Sequence, residues 1–499
     1  MSQMTRRNFL TTSTAAGLAV AAPRFSIGGG KPNSEVRIAV VGLGGINVPG
    51  GVGGRGRQLI KNFRAVPDAK VVALCDVDKA ILEDGAKQFK DRGETVATYT
   101  DIRRVFDDKN IDAVVLALPN HWHALATIWA CQAGKDVYVE KPFSYNIWEG
   151  RQMVAAARKY NRIVQVGTQR RSSTVLPVAF EYLRSGQLGA IRFAHALVFR
   201  ARTSIGKVTE PTPVPETVDY DLWCGPAPKA PVMRKQFHYE WHWQWQTGNG
   251  EMGNNGVHMT DICRWGLGLN QPPPRAMSIG GRFAFDDAGE TPNTQVVFLD
   301  YQPVPILCEI RNVSRNTEPK APSTLGKFRG AGSGIVIVCE GGYFAGDYTS
   351  GAVFDQAGQK IKEFQDGSKT GAIEISHAKN FIDAVRSRRT DSLAAEAAVG
   401  HASAACCHMG NISHRLGKKS SPGEIREQIR GNSELSDAFE RCSENLRENG
   451  VDLSATPAVL GPWVTFDAAQ ERFTGEFAEQ ANLLCRREDR APFAVPALV

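Results

Sequence analysis

Beyond its first two dozen residues the chain has no apolar run near the roughly 20 residues that span a bilayer, so nothing there reads as a membrane helix. It has no CxxC pair and no dense cysteine framework. Ten cysteines are scattered over 499 residues, and Cys75, Cys131, Cys263 and Cys308 lie inside apolar runs, which reads as buried free thiols. No basic cluster interleaved with aromatics occurs, so a formal net charge of +7 is too diffuse to point to nucleic acid. Histidine pairs occur, but no carboxylate or cysteine follows them at ligand spacing, and no metal is expected.

What the chain does have is an ordinary globular composition, 42% hydrophobic and 22% charged. Its length exceeds what one core usually organises, which predicts two or three domains. The start is different in character. Thr5-Arg6-Arg7-Asn8-Phe9-Leu10 precedes a weakly apolar stretch ending in Ala19-Val20-Ala21, a pattern suited to signal-peptidase cleavage, and the paired arginines resemble a twin-arginine export signal. Loss of Arg6 and Arg7 with that leader lowers the net charge from +7 to about +5. Residues 1–34 are read as signal and linker, and the mature protein as periplasmic or otherwise exported, with no membrane association after cleavage.

From about residue 35, short β-branched runs alternate with amphipathic segments. Val36–Val41, Val71–Cys75, Ala113–Leu118 and Asp136–Val139 read as strands buried on both faces, the mark of a parallel sheet covered by helices. Residues 35–142 are assigned to this Rossmann-type unit. Ile147–Tyr160 reads as helix and Ile163–Gly167 as strand. Alternating stretches follow at Ile191–Phe199, Thr294–Leu299, Ile306–Arg311 and Ile335–Glu340, predicting a largely antiparallel sheet with an open face, of the kind that commonly carries a partner subunit. Residues 143–416 form that second α/β unit, closing with a strongly helical stretch from His377 to Leu416. Residues 417–499 are an extension of unassigned role, expected to pack on the second unit.

The first strand runs into Gly42-Leu43-Gly44-Gly45, a glycine-rich turn, and Asp76 ends the next strand about 20 residues past Gly56. A carboxylate there accepts hydrogen bonds from ribose hydroxyls and repels a 2′-phosphate, which favours NAD over NADP. Ile46–Gly54 is an insertion of about nine residues before Arg55, where the helix should begin. It loops over the cofactor or out toward solvent. At the end of a later strand stand Leu118, Asn120, His121 and His123, where α/β sheets place ligands. Each histidine is either a contact to the nicotinamide ribose or pyrophosphate or a structural hydrogen bond, and His123 could cap the next helix.

Val137-Tyr138-Val139-Glu140-Lys141-Pro142-Phe143 puts a lysine directly after a buried strand and fixes the turn with proline. Burial and the positive charge of an oxidised nicotinamide both lower a lysine pKa toward the range of a working acid/base. Farther on, helical spacing would bring Asn254, His258 and Asp261 to one face. His238 and Trp243 lie in Phe237–Trp245, dense in aromatic and polar groups, which suits either a carbohydrate pocket or a strand packed on a core.

Together these residues resemble the Gfo/Idh/MocA oxidoreductases over about residues 35 to 416. The resemblance rests on the GLG turn, Asp76, Glu140-Lys141-Pro142, Gly167-Thr168-Gln169-Arg170, Trp223-Cys224-Gly225-Pro226 and Gly256-Val257-His258 with Asp261. It implies a catalytic Lys141 with a cis Pro142, Glu140 and Asn120 near the nicotinamide ribose, and His258 as partner acid/base. Gln169 is assigned to cofactor and substrate, and Arg170 to substrate. The family commonly has aspartate four residues before the histidine, whereas this chain has Asn254, with Asp261 as a possible substitute. The implied activity is NAD-dependent oxidation or reduction of a secondary alcohol on a sugar, cyclitol or glycoside by a homodimer or homotetramer, with a tightly held, internally recycled cofactor. The alternatives are an NAD-dependent glycoside hydrolase and a non-catalytic sugar-binding protein.

Overall fold

The computed structural model describes residues 35–46, 53–316 and 324–498. The twin-arginine leader and most of the glycine-rich insertion lie outside the described residues.

The first layer alternates strands and helices: β1 (Val36–Val41), α1 (Arg55–Arg64), β2 (Ala69–Cys75), α2 (Lys79–Lys90), β3 (Ala97–Tyr99), α3 (Ile102–Asp107), β4 (Ala113–Leu116), α4 (His123–Gln132), β5 (Asp136–Val139), α5 (Ile147–Lys159) and β6 (Val164–Val166). The strands form a parallel sheet in the order β3-β2-β1-β4-β5-β6. Because side chains alternate faces along a strand, Ile38 and Val40 pack with Leu59 and Phe63 of α1, while Ala39 and Val41 join α3 and α4 on the opposite face. The sheet runs past residue 142, since β6 supplies its last strand.

Next come α6 (Val175–Arg184), β7 (Ile191–Phe199), α7 (Tyr220–Cys224), α8 (Val257–Leu267), β8 (Arg275–Gly281), β9 (Thr294–Leu299), β10 (Ile306–Arg311), β11 (Ser333–Cys339), β12 (Gly342–Gly346), β13 (Ser350–Asp355) and β14 (Lys360–Gln365). The strongly helical stretch from 377 to 416 falls in two helices, α9 (Thr370–Ser387) and α10 (Ala397–Leu416). Arg388 ends the first in the left-handed region at φ 57. Helix α9 returns to the first sheet, where Phe381 meets Phe63 and Tyr138 edge-on, at 6.2 and 6.0 Å between ring centroids. The aromatic stretch expected as a strand or sugar pocket holds a single 3-10 turn, Glu240–Trp243.

The last segment contains β15 (Lys418–Ser420), α11 (Pro422–Ile429), α12 (Ser433–Glu448), β16 (Ala458–Leu460), β17 (Val464–Asp467), β18 (Arg472–Thr474) and α13 (Ala478–Leu484). Strands β7 to β18 make a twelve-stranded, mostly antiparallel sheet in which only β7 and β10 pair parallel. Its inner face packs on α6, α8 and α10. Its outer face is covered over β8, β9 and β10 and in part over β7 and β11. Met277, Ile279, Val296, Phe298 and Leu307 are covered by Ile425, Ile429, Phe439 and Leu446 of α11 and α12, and Leu197 and Val336 by Leu325 and Phe328. The extension thus occupies the face on which the sequence reading placed a partner subunit.

A buried charge cluster accompanies that cover. Burial alone would raise the Glu309 pKa, but His195, Arg311 and Arg441 of α12 hold it down to about 2. The tail does more than pack on the second unit, since Phe493 and Val495 join the first core beside Trp122 and Trp129. All ten cysteines are buried and free. Among the described residues no helix is long and apolar enough to cross a membrane.

Phe439 is 2% exposed beneath α12. Phe439→Asp is expected to cost at least the about 3–5 kcal/mol of a buried Phe→Ala truncation. The bared apolar sheet face should then self-associate. Thermal unfolding and sedimentation velocity check this, and an unchanged melting temperature with unchanged sedimentation would refute the covering role of α12.

Candidate active site

A cavity of about 420 Å³ opens at the carboxyl ends of β1, β2, β4 and β5. Around the first turn it is lined by Gly42, Gly44, Arg55 and Asp76. Both glycines take positive φ, 81° and 83°. A Cβ at Gly44 would lie 2.0 Å from the Gly53 carbonyl oxygen, and one at Gly56 1.9 Å from that of Gly42. The turn therefore needs hydrogen at all three positions. The insertion leaves the turn closed, because Gly45 N–H donates to Gly53 O at 2.7 Å and α1 starts at Arg55. Its N-cap, Gly54, has no side-chain cap, so the first N–H groups of the helix stay available to an anion.

Asp76 is oriented by two donors, Leu43 N at 2.7 Å and Asp78 N at 3.1 Å, and burial raises its pKa. A bare-backbone cradle, an uncapped helix start and a fixed carboxylate at the end of β2 fit a dinucleotide lacking a 2′-phosphate. Leu43 and Gly45 shape this turn but do not line the cavity.

At the end of β5, Lys141 follows Glu140 and precedes a cis peptide to Pro142. Glu140 is 5% exposed and accepts from Arg55 Nε at 2.8 Å and from its neighbour Lys141 N at 3.1 Å. A Cβ at Gly167 would stand 2.7 Å from that carboxyl, so β6 must end in glycine for Glu140 to reach its place. Lys141 Nζ donates to both the backbone O and Oδ1 of Asn254, each at 2.8 Å. Burial, opposed by Glu140 and Glu251, lowers the Lys141 pKa to about 8.

Asn254 lies in a five-residue π-turn, Met252–Gly256, that runs into α8. Such turns carry one extra residue per turn and reorient side chains. The predicted alignment of Asn254, His258 and Asp261 gives way to a different set of partners. Asn254 binds Lys141, and Asp261 is taken by Arg171 and Ser403, at 2.8 and 2.7 Å. Asp261 thus does not replace the missing carboxylate beside His258. His258 is 5% exposed and lines the cavity, and its Nδ1 has no hydrogen-bond partner. Burial, and then the charges of Arg170 and Lys141, push its pKa well below the usual value, leaving a neutral imidazole.

Leu118, Asn120, Gln169, Arg170 and His238 also line the cavity. His121 and His123 do not, and both are fully buried. His121 bridges to Trp223 O at 2.9 Å, and burial lowers its pKa to about 3. His123 caps no helix with its side chain. It faces Pro142 O at 2.7 Å and Leu118 O at 2.9 Å, bracing the two loops that flank the cavity. Trp243 lies outside the lining, beneath the Arg282 guanidinium at 4.9 Å, while its neighbours Trp241 and His242 line the cavity.

Sequence reasoning placed His238 at the site but did not foresee that the whole segment between β7 and α8 forms a strap over it. Trp223 and Tyr239 from it line the cavity, as do Arg200 and Arg202 at its start. The strap is pinned across the end of β2. Lys79 N donates to Thr217 O at 3.0 Å and Asp219 N to Val77 O at 2.9 Å. Asp78 holds Thr217 Oγ1 at 2.7 Å and His238 Nε2 at 2.9 Å. The strap's signals were the Trp223-Cys224-Gly225-Pro226 run and the aromatic stretch Phe237–Trp245, whose His238 lines the cavity. Glu374, delivered by α9 to Arg55 at 3.1 Å, had none.

A parallel sheet with a glycine cradle, a carboxylate at the end of the second strand and a lysine beside it defines a nicotinamide-linked oxidoreductase scaffold. Residues 36–168 match the NAD-binding Rossmann fold of the Gfo/Idh/MocA oxidoreductases, and residues 196–309 match their C-terminal alpha/beta domain. Over these two segments the chain is similar to the Gfo/Idh/MocA oxidoreductases.

It is 27% identical over 185 residues to a myo-inositol 2-dehydrogenase from Thermotoga maritima, covering 37% of this chain and 48% of that protein. It is 31% identical over 176 residues to a glycosyl hydrolase family 109 protein from Solibacter usitatus, covering 32% and 38%. The chain spans about half or less of the curated relatives it matches. The WlbA dehydrogenase from Bordetella pertussis, solved with NADH and UDP-GlcNAcA, shares the fold with a TM-score of 0.52 at 19% identity, over 74% of this chain and 93% of that one.

Asp78→Ala removes the carboxylate that fastens the strap. Hydrogen bonds to a charged group are worth about 1.5–3 kcal/mol, so nucleotide dissociation should speed up by about 10- to 100-fold. Stopped-flow displacement of NADH measures it, and an unchanged off-rate would show that the strap does not retain nucleotide.

Proposed function

We propose that the protein oxidises or reduces a secondary alcohol on a sugar, cyclitol or glycoside, with NAD as hydride carrier and Lys141 as the proton-transferring group. The observation that carries this reading is a lysine with a pKa of about 8, held at 2.8 Å by a neutral amide, in the same cavity as the glycine cradle and Asp76. Gly42, Gly44, the start of α1 and Asp76 would hold the dinucleotide, with Glu140 and Asn120 toward the nicotinamide ribose. Bound NAD supplies the hydride acceptor for the carbinol carbon, or, when reduced, the donor for the ketone.

In the oxidising direction the substrate hydroxyl gives its proton to neutral Lys141 Nζ while the carbinol C–H leaves as hydride, so alcohol becomes ketone and amine becomes ammonium. Asn254 accepts from Nζ and fixes its direction without adding the charge that would keep it protonated. His258, neutral and with Nδ1 free, is placed to hydrogen-bond a second substrate polar group or to relay the proton. Gln169 and Arg170 complete the substrate contacts. His238 serves through the strap, on the Asp78 side of the cavity.

We also infer that the nucleotide is retained through many turnovers. The strap pinned over the end of β2 supports this, and so does the leader reading of Arg6 and Arg7, since a protein exported folded would carry its cofactor with it. Retention favours redox-neutral cycles, either paired oxidation and reduction of two sugars or transient oxidation that permits glycosidic cleavage. The similarity to a glycosyl hydrolase family 109 protein is consistent with the second.

Lys141→Met should reduce turnover by about 10²- to 10⁴-fold while the protein still binds NADH. Turnover near the unmodified rate would discard the lysine mechanism. Asn254→Asp sets a carboxylate beside the ammonium and should raise the Lys141 pKa by about 1–3 pH units. Oxidation needs the neutral amine, so its rising limb should move to higher pH. An unmoved profile would show that Lys141 is not the group titrating.

A further inference from the structure

The proposed lysine mechanism leaves two arginines of the cavity unexplained. Arg55 is paired with Glu140 and Glu374, and Arg202 is paired with the buried Glu251 at 2.9 Å. Arg170 and Arg200, both lining the cavity, have no carboxylate partner among the described residues. The Arg170 guanidinium lies over the Tyr348 ring at 4.8 Å, and its hydrogen-bond contact is Nη1 to the weak acceptor Met259 Sδ at 2.7 Å. Carboxylates near it are already engaged: Asp261 by Arg171 and Ser403, and Asp347 by Thr349 and Ser350.

Arg170 is close enough to Lys141 and His258 that its charge lowers the pKa of both, and Arg200 does the same to Arg170. Beside them, His258 offers an unpartnered Nδ1 and Gln169 an unpartnered, buried Oε1. Arg170, which Asp347 and Asp261 reach only through space, and the exposed Arg200 stand without an ion pair in a cavity that already holds an ammonium, and a guanidinium fork matches carboxylate and phosphate oxygens geometrically. A neutral sugar hydroxyl satisfies the hydrogen bonds but leaves the charge.

We propose that the substrate carries an anionic oxyacid group, a carboxylate or a phosphate, and that Arg170 and Arg200 bind it within the same cavity as Lys141. The proposal rests on the oxidoreductase reading and narrows its substrate class from sugars in general to sugar acids or sugar phosphates. The glycine cradle and the start of α1, which suit the dinucleotide pyrophosphate, are a separate anion site.

The test is a titration of the full-length protein saturated with NADH, followed by nucleotide fluorescence, using glucose, glucuronate and glucose 6-phosphate. One of the two anionic sugars should bind at least about tenfold more tightly than glucose, and which one does so separates carboxylate from phosphate recognition. Arg170→Gln and Arg200→Gln should each erase that preference with NADH affinity unchanged, and Arg170→Lys should keep part of it. Equal binding of all three sugars, or a preference that survives both glutamine variants, overturns the anion subsite while leaving the oxidoreductase reading intact. Absence of NADH binding overturns the oxidoreductase reading itself, and the subsite with it.

Discussion

The buried pair between Arg55 and Glu140 is the constraint on which the site depends. Arg55 is the first residue of α1 and Glu140 follows β5, so one ion pair joins the start of the nucleotide-binding helix to the lysine loop. Burial works against the Arg55 charge, but Glu140 and Glu374 hold it firmly on. Breaking a buried pair by removing one partner costs about 3–5 kcal/mol, because a charge is left stranded. Here the stranded charge would sit beside Lys141, whose own pKa reads the same field. Gly167 is part of this constraint, since any side chain there would displace the Glu140 carboxyl.

The local parts of the site were legible because their chemistry is written in adjacent residues. Gly42, Gly44, Asp76 and Lys141 each follow a buried strand, and the strand ends alone put them around one cavity. What was not legible depends on contacts distant in sequence or on an irregular helix. Asn254 and His258 have ideal helical spacing, yet the π-turn hands Asn254 to Lys141, which is 113 residues away. Asp261, counted as a substitute carboxylate, is claimed by Arg171 from another segment. The pattern of alternating strands correctly marked the second sheet, but alternation shows only that a face is apolar, not what covers it. The charged stretch read as helical supplies the cover itself: α11 and α12 place Ile425, Phe439 and Leu446 on that face while their charged sides meet solvent.

That cover alters how the two halves are held. Helix α12 also reaches the sheet through Arg441, which meets the buried Glu309 at 3.4 Å. The tail continues the same logic. Arg487 donates to His121 O at 2.8 Å, and Arg490 to Gly225 O at 3.1 Å and to Asp221, tying the strap to the loop after β4. Opening the strap must therefore break contacts at both ends, those of Asp78 on one side and those of Arg490 on the other.

Replacing the common aspartate by Asn254 also has an electrostatic logic once the surrounding charges are counted. With a carboxylate at that position the Lys141 ammonium would be stabilised, and the amine would be a poor base near neutrality. With the amide, burial and then the charges of Arg55 and Arg170 outweigh Glu140 and Glu251, and the Lys141 pKa falls to about 8. An oxidised nicotinamide adds further positive charge and lowers that value, whereas an anionic substrate group on Arg170 and Arg200 offsets it. The base is then weaker in a cavity holding nucleotide alone than in one that also holds the anionic group. With the proposed anionic substrate, proton transfer is thereby coupled to occupancy of the whole site.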